Sequence, residues 1–371
     1  MKIERVEVFG VAMPLVGEYK NAYTSKTALK SSAVRITADD GTIGLGNIDP
    51  TPGYSHEDPL EHLQMLKTRL GPLVKGMDPT NIHELMAAMD RAVDGFLDSK
   101  AAIEMACVDI AARKAGVPVY TWLGGAVKQE LLFNAWIGIL PPDEAAAETL
   151  AWQKKGFRSA KVKVGGDIKA DAARLKAIRA AVGPDFQLRI DANAGYDADT
   201  SIALARLMEP VNLQLFEQPV PAEDIAGMAR VRQSTSIPIM ADESVLDHAS
   251  LIRIIRADAA DIVKVKVMKQ GGFLGTRRMI ATSEAAGIRN VVGHGFGLGV
   301  NTMAEIMLAA SAANVLDGLE CVGPLKTADD IVTHKLDLSS GRLPLPPGPG
   351  LGLTLDEARV TKYPIEIKAA A

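Results

Sequence analysis

Short apolar runs that end in a charged residue recur through the middle of the chain. Ser-Ala-Lys-Val-Lys-Val precedes Gly165, Gln-Leu-Arg-Ile leads into Asp191, Leu-Gln-Leu-Phe into Glu217 and Ile-Pro-Ile-Met-Ala into Asp242; Ile-Val-Lys-Val leads to Lys266 and Asn-Val-Val-Gly to His294. Between successive members of the series Lys163, Asp191, Glu217, Asp242, Lys266, His294 and Glu320 lie 24 to 28 positions. That is about the length of one strand, loop, helix and return loop. A further strand fits Asn134 to Ile139, one period earlier, so seven to eight βα units are present. The pattern predicts an α/β protein built on a (β/α)8 TIM-type barrel over about residues 126–325. In such a barrel the C-terminal strand ends converge, so residues distant in sequence share one cup.

The first 125 residues lack this rhythm. Lys2 to Phe9 reads as a strand, and Ala33 to Ala38 with Thr42 to Gly46 as a hairpin about Asp39-Asp40-Gly41. Helical patterns follow over Asp58 to Leu70, Asn81 to Val93 and Ser99 to Ala115. Residues 1–125 are therefore expected to form an α+β capping domain. Two of its segments read as loops that cover a neighbouring site: Val16 to Ser25, with Tyr19 and Tyr23, and Asp49 to His56, with Tyr54. Residues 326–371 form a C-terminal segment. Its Pro- and Gly-rich stretch from Gly341 to Gly352 predicts irregular backbone, and the apolar run Tyr363 to Ile367 is expected to return to the cap.

Composition narrows the partners. A net charge of −4 and a pI near 5.9 carry no basic footprint, which argues against nucleic acid. Cys107 and Cys321 are too few for a disulfide framework and suit a reducing compartment. No apolar stretch is long enough to span a membrane, and the N-terminus lacks the apolar region of a signal peptide. The expectation is a cytoplasmic protein with a small-molecule substrate.

Asp191, Glu217 and Asp242 end consecutive strands, and three carboxylates in one low-dielectric cup repel unless a cation neutralises them. An all-oxygen set selects a hard ion, Mg2+ before Mn2+. At Asp242-Glu243 the pattern leaves open which neighbour binds. Lys161 and Lys163 leave the same face of one strand, with Val162 and Val164 on the other. Lys266 approaches from a strand roughly across the cup. Lysines on both sides of a metal site suit removal of a proton from one face of a carbon and its return to the other. Removing a proton beside a carboxylate makes a basic enediolate, which a divalent ion stabilises; a desolvated lysine near other cations can serve as the base. Lys264 shares the parity of Lys266 one layer deeper and has no evident role. The run Gly293-His294-Gly295-Phe296-Gly297-Leu298-Gly299 fails the dinucleotide fingerprint, because Leu298 and Val300 stand where its third glycine is needed.

The motifs Lys161-Val-Lys163, Asp191-Ala-Asn193, Glu217-Gln-Pro219, Asp242-Glu-Ser244 and Lys266-Val-Met-Lys-Gln-Gly-Gly272 resemble the enolase superfamily, in its muconate lactonizing branch. The resemblance covers nearly the whole chain, including the closing stretch 349–357. It implies Asp191, Glu217 and Asp242 as metal ligands, with Asp242 taking the third place over Glu243. It further implies Lys163 and Lys266 as opposed acid/base groups, Lys161 as the tuner of Lys163, and Asn193 near the ligands. The implied chemistry is Mg2+-dependent abstraction of a proton α to a carboxylate: a cycloisomerase first, a racemase or epimerase second, an acid dehydratase third. A symmetric homo-oligomer is also implied. In the mandelate racemase branch a histidine near position 294 pairs with an aspartate on strand six, where this chain has Lys266. Glu320, in Leu-Glu-Cys-Val-Gly-Pro-Leu, resembles the strand-eight segment of muconate cycloisomerases; dipeptide epimerases show Asp-x-Asp there. Two other classes remain in view: a Schiff-base aldolase with Lys266 as nucleophile, which leaves the three carboxylates unexplained, and a barrel kept for binding alone.

Overall fold

The computed structural model describes residues 1–20, 25–51 and 55–365, and of 18–20 and 25 the backbone alone. The chain opens with an antiparallel sheet of β1 (Ile3–Lys20), β2 (Ser25–Ala38) and β3 (Ile43–Ile48), in the order β1-β2-β3. The expected hairpin turns at Gly41, whose φ of 81° suits glycine. The expected loop from Val16 differs. β1 and β2 run on past an irregularity after Pro14 and pair again at Tyr19 with Lys26 and Lys20 with Ser25, so this part of the cap is a long ribbon.

Helices Pro59–Met65, Ile82–Ala92 and Leu97–Lys114 follow. Asp58 and Glu61 start the first with a reciprocal capping box, and the helix continues through a wider turn at Leu66–Leu70. The helix Leu97–Lys114 is almost wholly buried, and β3 lies directly on it. Gly44 and Gly46, two apart on one face of β3, meet Ala106 and Ala102, two residues one helical turn apart. A methyl group at either glycine would overlap a backbone carbonyl oxygen of the helix. Small residues on both sides bring sheet and helix into backbone contact.

After β4 (Glu130–Leu132) comes a parallel sheet of seven strands: β5 (Ala135–Ile137), β6 (Ser159–Lys163), β7 (Gln187–Asp191), β8 (Leu215–Glu217), β9 (Ile239–Ala241), β10 (Ile262–Val265) and β11 (Arg289–Val292). They are hydrogen-bonded in sequence order. The eighth position is filled by residues 315–320, which bond both edges: Leu316 N to Asn290 O at 2.8 Å and Glu320 N to Val292 O at 2.9 Å on one side, Asn134 N to Leu319 O at 2.8 Å on the other. The barrel thereby closes. Leu215, Met240, Ile262 and Val291 make a buried apolar layer inside it, below the strand ends.

The tail departs in part from expectation. Within the Pro- and Gly-rich stretch, β12 (Arg342–Pro344) pairs antiparallel with β4, because that strand presents an unpaired edge beside the barrel. The final apolar run reaches the cap as expected: Ala12 N donates to Tyr363 O at 2.7 Å and Ile365 N to Gly10 O at 2.9 Å. Its last residues, Glu366 and Ile367, lie outside the described residues.

The glycine contact is testable. Gly46→Ala is expected to destabilise the protein by about 2 kcal/mol or more through overpacking against Ala102, read in denaturant unfolding, whereas Gly76→Ala, with open space around its Cβ, should show only the smaller strain of a positive φ.

Candidate active site

Strand register sets the site. Lys163 lies opposite Asp191 and Asp191 opposite Glu217, while Asp242 follows β9 and Lys266 follows β10 directly. All five are drawn into ionic contacts at the C-terminal mouth of the barrel, in two groups. Lys161 Nζ lies 3.0 Å from Asp191 Oδ2, 2.9 Å from Glu217 Oε2 and 2.5 Å from Glu320 Oε2. Lys163 Nζ bonds Asp191 Oδ2 at 2.6 Å and Asn193 Oδ1 at 2.5 Å. Lys264 bridges Glu217 and Glu320, which gives that deep lysine a place. On the far side Lys266 pairs with Asp242, and Lys269 Nζ bonds the same carboxylate and its backbone oxygen, each at 2.8 Å.

Burial would suppress every one of these charges, so the pairings decide the protonation states. Against burial, Lys161, Lys163 and Lys264 hold the Asp191 carboxyl below the usual carboxylate range, and Lys266, Lys269 and Lys264 do the same for Asp242. Lys161 is likewise held charged by Asp191, Glu217 and Glu320. Lys266 goes the other way. Burial, assisted by Lys269 and Lys264, outweighs Asp242 and lowers it to about 8. Amide side chains fix the loops: Gln218 Oε1 accepts from the backbone N–H groups of Asp242 at 3.0 Å and Ser244 at 3.2 Å, and Gln270 Oε1 from that of Lys266 at 2.6 Å.

Asn193 and Glu243 join the same mouth. Asn193 Nδ2 donates to Glu243 Oε1 at 3.1 Å; among the described residues Glu243 Oε2, though buried, has no hydrogen-bond partner. Burial and the charges of Asp242, Asp191 and Glu217 push its carboxyl up to about 7. Among the described residues no group of three acids, histidines or cysteines is clustered tightly enough to cage an ion as the side chains stand, because ammonium groups lie between the carboxylates. The donor chemistry nevertheless fits a hard dication: oxygen ligands on three neighbouring strand ends, beside a buried carboxylate oxygen that lacks a donor. Tyr54 and Tyr23 lie outside the described residues, as does the side chain of Tyr19.

His294 is better partnered than the sequence suggested. Its Nδ1 lies 3.2 Å from Glu305 on the helix Gly299–Ala310, and its Nε2 lies 3.7 Å from Asp49 Oδ2, at the end of β3 in the cap. Asn301 Nδ2 reaches Asp49 at 2.8 Å. Glu305 is the lone acid of an otherwise apolar or neutral helix, a signal that could have marked it. Arg189 also escaped notice: fully buried, it holds Glu320 Oε1 at 3.2 Å and the backbone oxygen of Gly318 at 2.7 Å. Beside the carboxylates opens a cavity of about 580 Å3, lined by Lys161, Lys163, Trp136, His294, Phe296 and Lys326 among others.

This arrangement has known counterparts. The model of the mandelate racemase/muconate lactonizing enzyme N-terminal domain matches residues 4–124, and that of the enolase C-terminal domain-like family matches residues 144–359. The chain belongs to the mandelate racemase/muconate lactonizing enzyme family of the enolase superfamily. It is 34% identical to the N-succinyl-L-Arg/Lys racemase of Bacillus cereus over 96% of both chains, and that enzyme's crystal structure superposes with a TM-score of 0.94 over 99% of each. Muconate cycloisomerase 1 of Rhodococcus opacus is 31% identical over 96% of both. The dipeptide epimerase of Enterococcus faecalis, solved with Mg and L-Leu-L-Tyr, superposes with a TM-score of 0.91 at 29% identity, over 95% of this chain and 100% of that one. All three are isomerases, and this chain is an enzyme of that superfamily. No helix among the described residues is long and apolar enough to cross a membrane.

The His294 pairing has a pH signature. Burial opposes its charge, but Glu305 and Asp49 raise it from 6.5 to about 9. Its contribution is therefore complete below about pH 6.5 and fades as pH rises through about 9. His294→Gln is expected to lower unfolding stability by about 3 kcal/mol at pH 6, with the gap to the parent closing by pH 10; a gap independent of pH would contradict a charged pair.

Proposed function

We propose that this enzyme moves a proton at the carbon α to a substrate carboxylate, as a racemase or epimerase of a carboxylic acid. One observation carries the reading. Lys163 and Lys266 stand on β6 and just beyond β10, the strands that flank the three carboxylate-bearing strands β7, β8 and β9, and each touches the carboxylate nearest it, Asp191 or Asp242. A carbon held over the carboxylates meets one lysine on each face. Lys163 and Lys266 are the opposed acid and base, and Lys161 with Lys264 compensates the buried charge of Glu217 and Glu320. Asp191, Glu217 and Asp242 would hold Mg2+, which would supply Lewis-acid stabilisation of negative charge on the substrate carboxylate. The lysines do the proton transfer.

Glu320 limits the substrate. It is engaged by Lys161, Lys264 and Arg189 and so is not available to hold a substrate ammonium group, which argues against dipeptides with a free amino terminus. The same feature favours a second reading, a cycloisomerase of the muconate type, in which one lysine delivers the proton and the other steadies charge. An aldolase that uses Lys266 as nucleophile leaves the convergent carboxylates without a purpose.

Asp191→Asn and Glu217→Gln are expected to abolish turnover and weaken Mg2+ binding in calorimetry while the circular dichroism spectrum stays unchanged; full activity after exhaustive chelation would overturn the metal assignment. For a racemase, Lys163→Ala and Lys266→Ala should each lose turnover by about 10²-fold to 10⁴-fold or more. In D2O each variant should still exchange the α-proton of the one enantiomer whose hydrogen points at the surviving lysine. Loss of exchange with both enantiomers in either variant, with metal bound, would contradict the two-faced site.

A further inference from the structure

The turn that follows Lys163 is gripped by three buried polar side chains to which the proton transfer assigns no part. Asp171 and Arg174 stand in the first two turns of the helix Ile168–Val182, and Tyr196 lies five residues beyond Asp191; they are 1%, 4% and 6% exposed. Asp171 Oδ2 accepts from the backbone N–H groups of Gly165 at 3.3 Å and Gly166 at 3.2 Å, and from the Tyr196 hydroxyl; Oδ1 accepts from Arg174 Nη1 at 2.5 Å. The Tyr196 oxygen in turn accepts from Gly165 N at 2.8 Å. Arg174 Nη1 donates to the backbone oxygen of Lys163 at 3.2 Å, and its Nε to that of Leu140, beyond β5, at 2.7 Å. One cluster thus fixes both the carbonyl of Lys163 and the N–H of Gly165, while Val164 between them donates to Asp191 O at 3.0 Å.

The turn after Asp191 closes on Lys163 from both ends. Asn193 and Ala194 are left-handed, at φ 43° and 59°, a conformation that residues other than glycine adopt at a cost. In that turn Asn193 Oδ1 meets the Lys163 ammonium group at 2.5 Å, and three residues on the Tyr196 hydroxyl meets Gly165 N. We infer that Asp171, Arg174 and Tyr196 are positioning residues for Lys163: they fix the end of β6 so that its ammonium group stays beside Asp191 and Asn193, on one face of the substrate carbon. For its catalytic consequence the inference rests on the proposed proton transfer. A lysine carries its charge on a flexible stem, so where the ammonium group points depends on where the backbone beneath it is held. Misplacement by about 1 Å can cost on the order of 10²-fold in rate. Asp171 and Arg174 neutralise one another, and burial with the Asp171 carboxylate beside it keeps the Tyr196 hydroxyl protonated, so the cluster adds no net charge beneath the site. Lys266 is held by other groups. Its N–H donates to Gln270 of its own loop, and the helix that follows starts with Phe273 N and Leu274 N donating to Glu104 of the cap helix Leu97–Lys114, each at 2.9 Å. A defect behind Lys163 is therefore expected to spare the opposite face.

The test reads the two faces apart. Tyr196→Phe removes one hydroxyl and keeps the ring. With the Mg2+-loaded enzyme in D2O, α-proton exchange is followed for both enantiomers of a panel of N-acetyl and N-succinyl amino acids; the enantiomer that faces Lys163 is the one whose exchange Lys163→Ala abolishes. Tyr196→Phe should slow exchange from that enantiomer about tenfold or more, leaving its KM, exchange from the other enantiomer and Mg2+ affinity in calorimetry unchanged. Asp171→Asn, which sets an amide donor against one of the donors that Asp171 now receives, should show the same one-sided loss. Equal slowing of both enantiomers, weakened Mg2+ binding or unaltered exchange in both variants overturns the assignment. A second readout needs no substrate. Lys163, with a side chain 16% exposed, is methylated reductively with formaldehyde and cyanoborohydride alongside Lys266, and the two are quantified by peptide mass spectrometry. Tyr196→Phe should raise the rate at Lys163 about threefold or more, because its ammonium group leaves Asp191 and Asn193 more often, with the rate at Lys266 unmoved. Where the parent enzyme exchanges no α-proton of any probe, labelling alone decides: a rise confined to Lys163 upholds the positioning role and refutes proton abstraction, and no rise refutes both. Exchange in the parent that both variants match refutes the positioning role and leaves proton abstraction standing.

Discussion

Buried charge is what the barrel mouth has to manage. An isolated carboxylate or ammonium in an apolar interior is strongly disfavoured, and it persists only where opposite charges and hydrogen bonds surround it. Here each compensating partner comes from a different strand: Lys161 of β6 meets Glu217 of β8 and Glu320 of the closing segment, and Lys264 of β10 meets the same two. The network exists only if the barrel is closed and in register. The apolar layer of Leu215, Met240, Ile262 and Val291 beneath it supplies the non-directional part of the stability. The ionic layer above selects one register, since a slip of one residue would turn Lys161, Lys163 and Asp191 toward the helices.

Within that lattice the lysines are not equivalent. Lys161 and Lys264 are held charged against burial, whereas for Lys266 burial, assisted by Lys269 and Lys264, outweighs Asp242 and eases it toward neutrality. Two nearby lysines of β10 and its loop thereby acquire different chemistry from their neighbours alone. The cap completes the surroundings through Asp49, which meets His294 and Asn301, and through Lys26 beside Phe296. The N-terminal sheet and the barrel therefore meet beside the mouth, while the paired carboxylates and lysines all belong to the barrel.

Much of this was readable in the chain, for a specific reason. Each barrel strand is short, apolar and terminated by the residue it delivers, so Asp191, Glu217 and Asp242 announce themselves by local pattern and spacing. What could not be read depends on contacts between distant segments. Arg189 shares the inward parity of Asp191 two residues on, but only the closed barrel shows that it meets Glu320. Glu305 lies eleven residues beyond His294 in the chain, on a helix whose direction sequence does not reveal. The segment from Val16, interrupted by Gly17, lacked a strand's alternation, yet β2 was available to pair with it. The engagement of Glu320 likewise appears only once three strands meet.

The first strand is finished by the last residues. β1 is an edge of the cap sheet, and its outer side is covered by Tyr363 and Ile365 near Gly10 and Ala12, and by Ala328, which donates to Pro14 O at 2.9 Å. A nascent chain therefore carries β1 with an open edge through synthesis of the entire barrel, since the segment that shields it follows the barrel in the chain. Loss of the C-terminal segment would uncover this edge even though no residue of the reaction centre had been removed, and the defect would appear as self-association during production of the protein.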